Sequence, residues 1–133
     1  HAPRYYSEVS LGLDMTARDV QTRLKAKGHP WERAKAFDGS AVIGQFMSLE
    51  QLGKDVQDLS FTLANHGNVL QKAQTKDMLF SVNRLIAEVS KFMTLKVGDL
   101  LFTGTPAGVA GVQPGDRLVG SLEGHDLFAV NVK

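Results

Sequence analysis

Alternating apolar residues near the start of the chain predict a strand that leads into a short helix. Every second residue from Val9 to Leu13 is apolar, which is typical of a strand with one buried face. Apolar residues then recur at helical spacing between Ala17 and Lys27, and the helix-ending residues Gly28 and Pro30 follow. Because Thr16–Asp19 resembles a capping box, we expect this helix to begin with a side-chain cap.

The middle of the chain predicts an irregular loop, a hairpin and a second helix. The stretch from Pro30 to Gln45 has mixed periodicity and two turn formers, and we expect an ordered loop there. Alternating apolar residues on either side of His66–Asn68 predict a β-hairpin with glycine at its turn. Apolar residues at helical spacing predict an amphipathic helix over Ser81–Phe92, with Asp77 as its cap.

The last third of the chain is predicted to be mainly β. Turns are expected at Lys96–Asp99 and Pro114–Asp116, and strands at Arg117–Leu122 and Leu127–Val132. Strands outnumber helices and no regular β-α-β alternation appears, so a mixed or antiparallel sheet is favoured over a doubly wound one. With 133 residues, 43% of them hydrophobic and 22% charged, the chain is typical of one globular domain without an internal boundary.

Charge and composition exclude several classes of function. The 15 basic and 14 acidic side chains are spread along the chain and give a net charge of +1, so we expect no nucleic-acid partner. The chain has no cysteine, which excludes disulfides, cysteine-ligated zinc and a cysteine nucleophile. No apolar run approaches the roughly 20 residues that span a bilayer, and we expect a cytoplasmic protein without a membrane partner.

Three sets of polar residues early in the chain are candidates for function, and each has a simpler explanation. Asp14 stands where the first strand leads into the helix, and a carboxylate there either binds a hard cation or stabilises the helix N-terminus. Arg18, Gln21 and Lys25 share one helical face, which either binds a carboxylate ligand or is only a solvated polar face. Lys35 has apolar neighbours, so its amine either polarises a carbonyl or, as for most such lysines, only extends to water.

A glycine-rich loop at Thr103–Val109 is the fourth candidate. Its glycines allow a ligand to approach the backbone, and its free N–H groups and two threonine hydroxyls suit an oxyanion or a carboxylate. A tight structural turn explains the same residues equally well. The loop lacks the lysine and the glycine spacing of a P-loop, no Gly-x-Ser-x-Gly elbow is present, and the four histidines lack metal-binding spacing. Serine-hydrolase and zinc-enzyme functions therefore have no support.

These candidates occur together, in an order that resembles the fumarylacetoacetate hydrolase family. The blocks that carry the resemblance are Gly12–Gln21, Lys27–Trp31, Ala34–Asp38, Gln71, Thr75–Phe80, Leu95–Asp99, Leu101–Val109 and Pro114–Asp116. They span nearly the whole chain and are highly specific when taken together. The resemblance is strongest to the small single-domain members, the acylpyruvate and fumarylpyruvate hydrolases, some of which decarboxylate oxaloacetate.

The resemblance implies a fold and an activity. The implied fold is the mainly β catalytic domain of the family, a rolled mixed sheet with two short helices. The implied activity is metal-dependent hydrolysis of a C–C bond in acylpyruvate-type 2,4-dioxo acids, with oxaloacetate decarboxylation as a related reaction. The family also implies that the protein is a homodimer and that it binds a small 2-oxo acid as its substrate.

Residue by residue, the resemblance assigns the candidates to one cleft. Asp14 would be a carboxylate ligand of Mg²⁺ or Mn²⁺, and Lys35 beside it would hold the substrate oxygen or the metal-bound water. Arg18 and Gln21 would contact the oxo acid, and Thr105 would receive its carboxylate. The residues implied as catalytic or substrate-binding are Arg18, Gln21, Lys35, Gly104 and Thr105.

The chain departs from the family pattern at its start. In the family, a Glu-x-Glu pair of metal ligands and a His/Glu pair that activates water lie upstream of the position matched by Asp14, and this sequence contains neither. We therefore expect residues 1–133 to be the C-terminal part of one longer catalytic domain. The alternatives are an isomerase or decarboxylase of the same family, a member that binds an oxo acid or a partner chain without turnover, and a β-rich interaction module.

Overall fold

Eight short strands, four α-helices and two 3₁₀ turns make up the regular structure, which a computed structural model describes over residues 1–133. The strands are β1 (Glu8–Val9), β2 (Gly12–Asp14), β3 (Ala41–Ile43), β4 (Met47–Ser48), β5 (Ser60–Asn65), β6 (Asn68–Gln74), β7 (Arg117–Leu122) and β8 (His125–Asn131). The helices are α1 (Arg18–Ala26), α2 (Glu32–Lys35), α3 (Leu49–Leu52) and α4 (Val82–Val89). The prediction of a chain with more strand than helix and two longer helices is confirmed. None of the helices combines the length and the apolar character that crossing a lipid bilayer requires.

The chain divides into two compact units. The first unit comprises residues 1–11 and 44–133, and the second unit comprises residues 12–43. In the first unit, β6, β5, β7 and β8 form a four-stranded sheet in that order, and β1 pairs with β4. In the second unit, β2 pairs with β3. All of these pairs are antiparallel. Of the two sheet types that the sequence predicted, mixed and antiparallel, the structure has the antiparallel one.

Two tight hairpins set the register of the four-stranded sheet. His66 and Gly67 join β5 to β6 with φ values of 46° and 82°, and Glu123 and Gly124 join β7 to β8 with φ values of 49° and 83°. Two consecutive residues with positive φ give a turn whose twist matches that of the flanking strands. The predicted hairpin with glycine at its turn is therefore confirmed.

The main cluster of buried apolar side chains in the first unit lies at the end of the sheet where β7 turns into β8. It consists of Leu122 and Leu127, on either side of the turn, and of Val56 and Leu59, which precede β5. Partly buried residues of β1, β4, α3 and α4 pack against these four side chains. Burial of this apolar cluster is thus what holds the short elements of the unit to the sheet.

The stretch from Pro30 to Gln45, predicted as one irregular loop, contains a helical turn and a strand. These are α2 and β3. The prediction was wrong because a single turn of helix is too short to show a period, and β3 exists only through its pairing with β2. Neither element has a pattern of apolar residues that would identify it from its own sequence.

Two helix caps and one strand also differ from the prediction. The hydroxyl of Ser81, and not Asp77, caps α4 by accepting a bond from the N–H of Arg84 at 3.3 Å. The N-cap of α1 is Ala17, whose side chain makes no cap, so the capping box at Thr16–Asp19 is wrong. The strand predicted over Glu8 to Leu13 is divided into β1 and β2, because the two halves pair with different strands.

Candidate active site

An ion pair between Asp14 and Lys35 marks the candidate site of the second unit. Asp14 is the last residue of β2, and Lys35 is the last residue of α2. The Nζ atom of Lys35 lies 2.6 Å from Oδ2 of Asp14 and donates a second hydrogen bond to Oγ1 of Thr16 at 2.8 Å. An ammonium group has three hydrogens, so one of them stays available for a ligand.

Main-chain hydrogen bonds hold the two partners of this ion pair in register. The N–H of Met15 donates to the carbonyl of Ser40 at 2.7 Å, and the N–H of Ala17 donates to the carbonyl of Ala34 at 3.1 Å. Ala34 and Ser40 are both buried. The segment after β2 is therefore fixed to both ends of the stretch that carries Lys35.

The burial of the ion pair decides how its contribution is understood. The side chain of Lys35 is 33% exposed and that of Asp14 is 53% exposed. A pair this exposed contributes about 1 kcal/mol or less to stability. Its main effect is to hold the ammonium group of Lys35 and the carboxylate of Asp14 in defined positions. The helix-capping explanation for Asp14 is wrong, because its carboxylate pairs with Lys35 while α1 has no side-chain cap.

Arg18 and Gln21 bind each other on the first turns of α1. The guanidinium NH1 of Arg18 donates to Oε1 of Gln21 at 2.7 Å. The other N–H groups of Arg18 and the amide N–H groups of Gln21 are then donors without a partner inside the protein. Lys25, predicted on the same face, is exposed, and its side chain makes no hydrogen bond. The free groups of this face are thus mainly donors, which suits an anionic ligand.

Gly104 and Thr105 lie in the first unit, in an exposed stretch without regular structure between α4 and β7. The amide nitrogen of Gln71, in β6, donates to Oγ1 of Thr105 at 3.0 Å. No main-chain hydrogen bond closes a turn within residues 103–109. The contact to Gln71 was not foreseen, although Gln71 is one of the positions that carry the family resemblance. That Thr105 shares one cleft with Asp14 stays a prediction.

The residues of this chain supply the right kind of metal ligand in too small a number. The Asp14 carboxylate is a hard oxygen donor of the type that Mg²⁺ and Mn²⁺ prefer. No group of three or more His, Asp or Glu side chains is close enough to hold a metal. Since Mg²⁺ takes a near-octahedral oxygen shell, Asp14 fits one position of such a shell and residues 1–133 do not fill it.

A match over nearly the whole chain identifies the family. The family profile described as the C-terminal part of fumarylacetoacetate hydrolase matches residues 2–131. The chain belongs to the fumarylacetoacetate hydrolase family. Among its relatives in the family, the oxaloacetate tautomerase YcgM of Escherichia coli is 41% identical over 127 residues, which are 96% of this chain and 58% of that protein. The mitochondrial oxaloacetate decarboxylase of Dictyostelium discoideum is 39% identical over 122 residues, which are 92% of this chain and 56% of that protein.

A solved structure of the fumarylacetoacetate hydrolase family has the same fold. The fumarylpyruvate hydrolase of Pseudomonas aeruginosa, in complex with Mn²⁺ and pyruvate, superimposes with a TM-score of 0.90 at 38% identity. The match covers 98% of this chain and 56% of that one. The fold implied by the sequence resemblance is therefore confirmed. The chain spans somewhat more than half the length of these relatives, whose names state three different reactions.

Proposed function

We propose that the complete protein, meaning this chain together with residues that precede it, is a metal-dependent hydrolase of acylpyruvate-type 2,4-dioxo acids. The observation that carries the proposal is the ammonium group of Lys35, which keeps one free hydrogen while Asp14 and Thr16 hold it in place. The relative from Pseudomonas aeruginosa, named a fumarylpyruvate hydrolase in complex with Mn²⁺ and pyruvate, supports the choice of metal and substrate class.

Each candidate residue has a role that follows from its chemistry. Asp14 supplies one oxygen ligand to Mg²⁺ or Mn²⁺, which when bound polarises the 2-oxo carboxylate group of the substrate. Lys35 donates its free hydrogen to the substrate oxygen on which negative charge develops. Arg18 and Gln21, whose free groups are mainly donors, contact the oxo acid. The hydroxyl of Thr105 and the backbone at Gly104 receive the substrate carboxylate.

The reaction transfers one electron pair from the broken C–C bond and adds one proton to the leaving group. Water attacks the distal carbonyl carbon, the C–C bond breaks, and its electron pair passes to the 2-oxo group as the enolate of pyruvate, which is then protonated on carbon. The hydrogen bond from Lys35 is strongest when the enolate charge has formed, so it lowers the barrier more than it strengthens substrate binding. We assign activation of the water to a residue that precedes His1.

Two observations support the proposal that preceding residues complete the site. Asp14 fills one position of a metal shell that needs several oxygen ligands. In addition, apolar side chains outside the core are left open to solvent, as at Phe92, which is 86% exposed, and Met93, which is 66% exposed. A preceding segment would supply the other ligands and cover this apolar surface.

Keto–enol tautomerisation of oxaloacetate is the second candidate function. It is favoured by the 41% identity to YcgM, which is named an oxaloacetate tautomerase. Both reactions place negative charge on the oxygen of a 2-oxo group, so Lys35 would act in the same way. They differ because tautomerisation needs no attacking water.

The two functions are separated by supplying the complete protein with acetylpyruvate and with oxaloacetate, in Mg²⁺ and after exhaustive chelation. We expect Mg²⁺-dependent cleavage of acetylpyruvate to acetate and pyruvate. Rapid enol–keto exchange of oxaloacetate without cleavage of acetylpyruvate would establish the second candidate instead. Release of carbon dioxide from oxaloacetate would indicate a decarboxylase. Turnover of neither acid would contradict both proposals.

A further inference from the structure

Residues 100–112 form a stretch without regular structure that hydrogen bonds hold at one point only. No main-chain hydrogen bond joins this stretch to the rest of the protein. Every side-chain hydrogen bond that does so comes from the amide of Gln71, a half-buried residue of β6. All of the hydrogen bonds that position Thr105 relative to the sheet therefore come from one side chain.

The amide nitrogen of Gln71, and not its amide oxygen, faces this stretch. Nε2 lies 3.1 Å from the carbonyl oxygen of Pro106 and 3.4 Å from that of Ala107. Carbonyl oxygens can only accept hydrogen bonds, so an amide oxygen in this place would have no partner. The same Nε2 lies 3.0 Å from Oγ1 of Thr105, which therefore accepts a hydrogen bond here.

This contact restricts the directions in which the hydroxyl hydrogen of Thr105 can point. A threonine hydroxyl has one hydrogen and two lone pairs. With a lone pair committed to Gln71, the hydrogen rotates away from β6, and Thr105 is exposed to solvent. An O–H group directed in this way donates a charge-assisted hydrogen bond to a carboxylate, which is stronger than a bond between neutral groups.

A glycine brings the backbone close enough for the contact to form. Gly108 has a φ of 96°, and a Cβ atom at this position would collide with the carbonyl oxygen of Leu70, the residue before Gln71. Only glycine allows this approach at this φ. Close packing at Gly108 and the Gln71 amide thus fix the same stretch against the same part of β6.

From these contacts we infer that Gln71 is a positioning residue, which directs the hydroxyl hydrogen of Thr105 toward the carboxylate of the 2-oxo acid. The inference rests on the proposed role of Thr105 in binding that carboxylate. Gln71 itself touches no reacting atom. Its contribution is to the binding of the acid, and it has little part in the chemical step.

A double-mutant cycle in the complete protein tests this role. The variants are Gln71→Met, Thr105→Val and the two combined, with Gln74→Met as the matched control. Gln74 lies on the same strand, but its amide donates to Oγ of Ser60 at 3.2 Å and not to residues 100–112. The measurements are the Kd of pyruvate in the presence of Mg²⁺, and KM and kcat for the 2-oxo acid that the protein turns over. Thermal unfolding shows whether each variant is folded.

We expect Thr105→Val to raise Kd and KM about tenfold, the loss of one hydrogen bond to a charged group, with kcat changed far less. Gln71→Met should raise both by up to the same factor, because the hydroxyl of Thr105 is no longer held in place. The combined variant should bind no more weakly than Thr105→Val alone, because Gln71 acts through Thr105. Gln71→Glu should weaken binding more than Gln71→Met, because its carboxylate takes the hydroxyl hydrogen for itself. Gln74→Met should bind as the wild type does.

Two results would overturn the inference while leaving the role of Thr105 intact. One is an effect of Gln71→Met that persists in the Thr105→Val background. The other is normal binding by Gln71→Met and Gln71→Glu when Thr105→Val binds weakly. Normal binding by Thr105→Val would overturn the proposed role of Thr105, and the positioning role of Gln71 with it.

Discussion

The carboxylate of Glu123 connects three segments of the first unit. Its Oε2 lies 2.6 Å from Nζ of Lys54, and its Oε1 accepts a hydrogen bond from the N–H of Ser60. These two donors, Lys54 foremost, lower the pKa of Glu123 from its usual value of 4.5. The residue also has a φ of 49° in the turn between β7 and β8. Its charge therefore stabilises the turn that borders the core.

The lowered pKa of Glu123 predicts how stability depends on pH. A carboxyl group whose pKa falls on folding stabilises the protein above its unfolded-state pKa, and this stabilisation is lost as the pH falls through the folded-state pKa. We expect Glu123→Gln to unfold at a lower temperature than the wild type at pH 7, and the difference to narrow as the pH falls below 4.5. The measurement is the unfolding midpoint of the complete protein between pH 7 and pH 3. The control is Glu8→Gln, because Glu8 is exposed and its carboxylate makes no hydrogen bond. A difference that does not change with pH would contradict this role.

Single residues were foreseen where the family resemblance named them, and missed where only the fold brings partners together. Asp14 and Lys35 were named from the resemblance, and the structure shows them in contact. Gln71 was part of the same pattern, but its contact with Thr105 spans 34 positions and has no local signal. The capping box failed because the hydroxyl of Thr16 accepts from Lys35 and does not cap α1.

At the scale of elements, packing between β7 and β8 depends on a glycine, which has no side chain. Gly120 lies opposite Phe128 in this pair. A Cβ atom at Gly120 would collide with the ring of Phe128. The ring therefore covers the backbone of β7, and the glycine is required by packing and not by its φ.

We expect Gly120→Ala to destabilise the protein by about 1–3 kcal/mol, the usual range for an extra methyl group in a filled space. The matched control is Gly111→Ala, since a Cβ atom at Gly111 would meet no other atom within 4 Å. Urea unfolding of the complete protein measures both free energies. Equal stability of the two variants would show that the Phe128 ring moves aside without cost.

The elements found from the sequence are those whose signal is contained in their own residues. α1 and α4 have an apolar stripe, and the hairpin of β5 and β6 has its turn residues at His66 and Gly67. α2 and β3 were missed because one is a single turn and the other forms by pairing with β2. Local pattern thus predicts elements that are stable through local geometry, and it does not predict those that depend on distant partners.

At the scale of the whole molecule, the family was predicted from ordered motifs and is confirmed by the match over residues 2–131. The reaction was not predictable to the same degree. The relatives share the fold, yet their names state tautomerisation, decarboxylation and hydrolysis. These reactions have in common a 2-oxo acid with negative charge on its oxygen, and that shared charge is what Lys35 and a metal at Asp14 would stabilise in the proposed site.

The most direct test of the account is the Mg²⁺ dependence of 2-oxo acid turnover by the complete protein, compared between Asp14→Ala and Asp38→Ala. Asp38 is an exposed carboxylate of the same unit that makes no hydrogen bond, so its removal controls for the loss of charge. We predict that Asp38→Ala keeps the wild-type Mg²⁺ requirement, and that Asp14→Ala loses at least about a hundredfold in Mg²⁺ affinity, with turnover falling accordingly. Turnover that survives exhaustive chelation, or an Mg²⁺ requirement unchanged by Asp14→Ala, would contradict the assignment of Asp14 as a metal ligand.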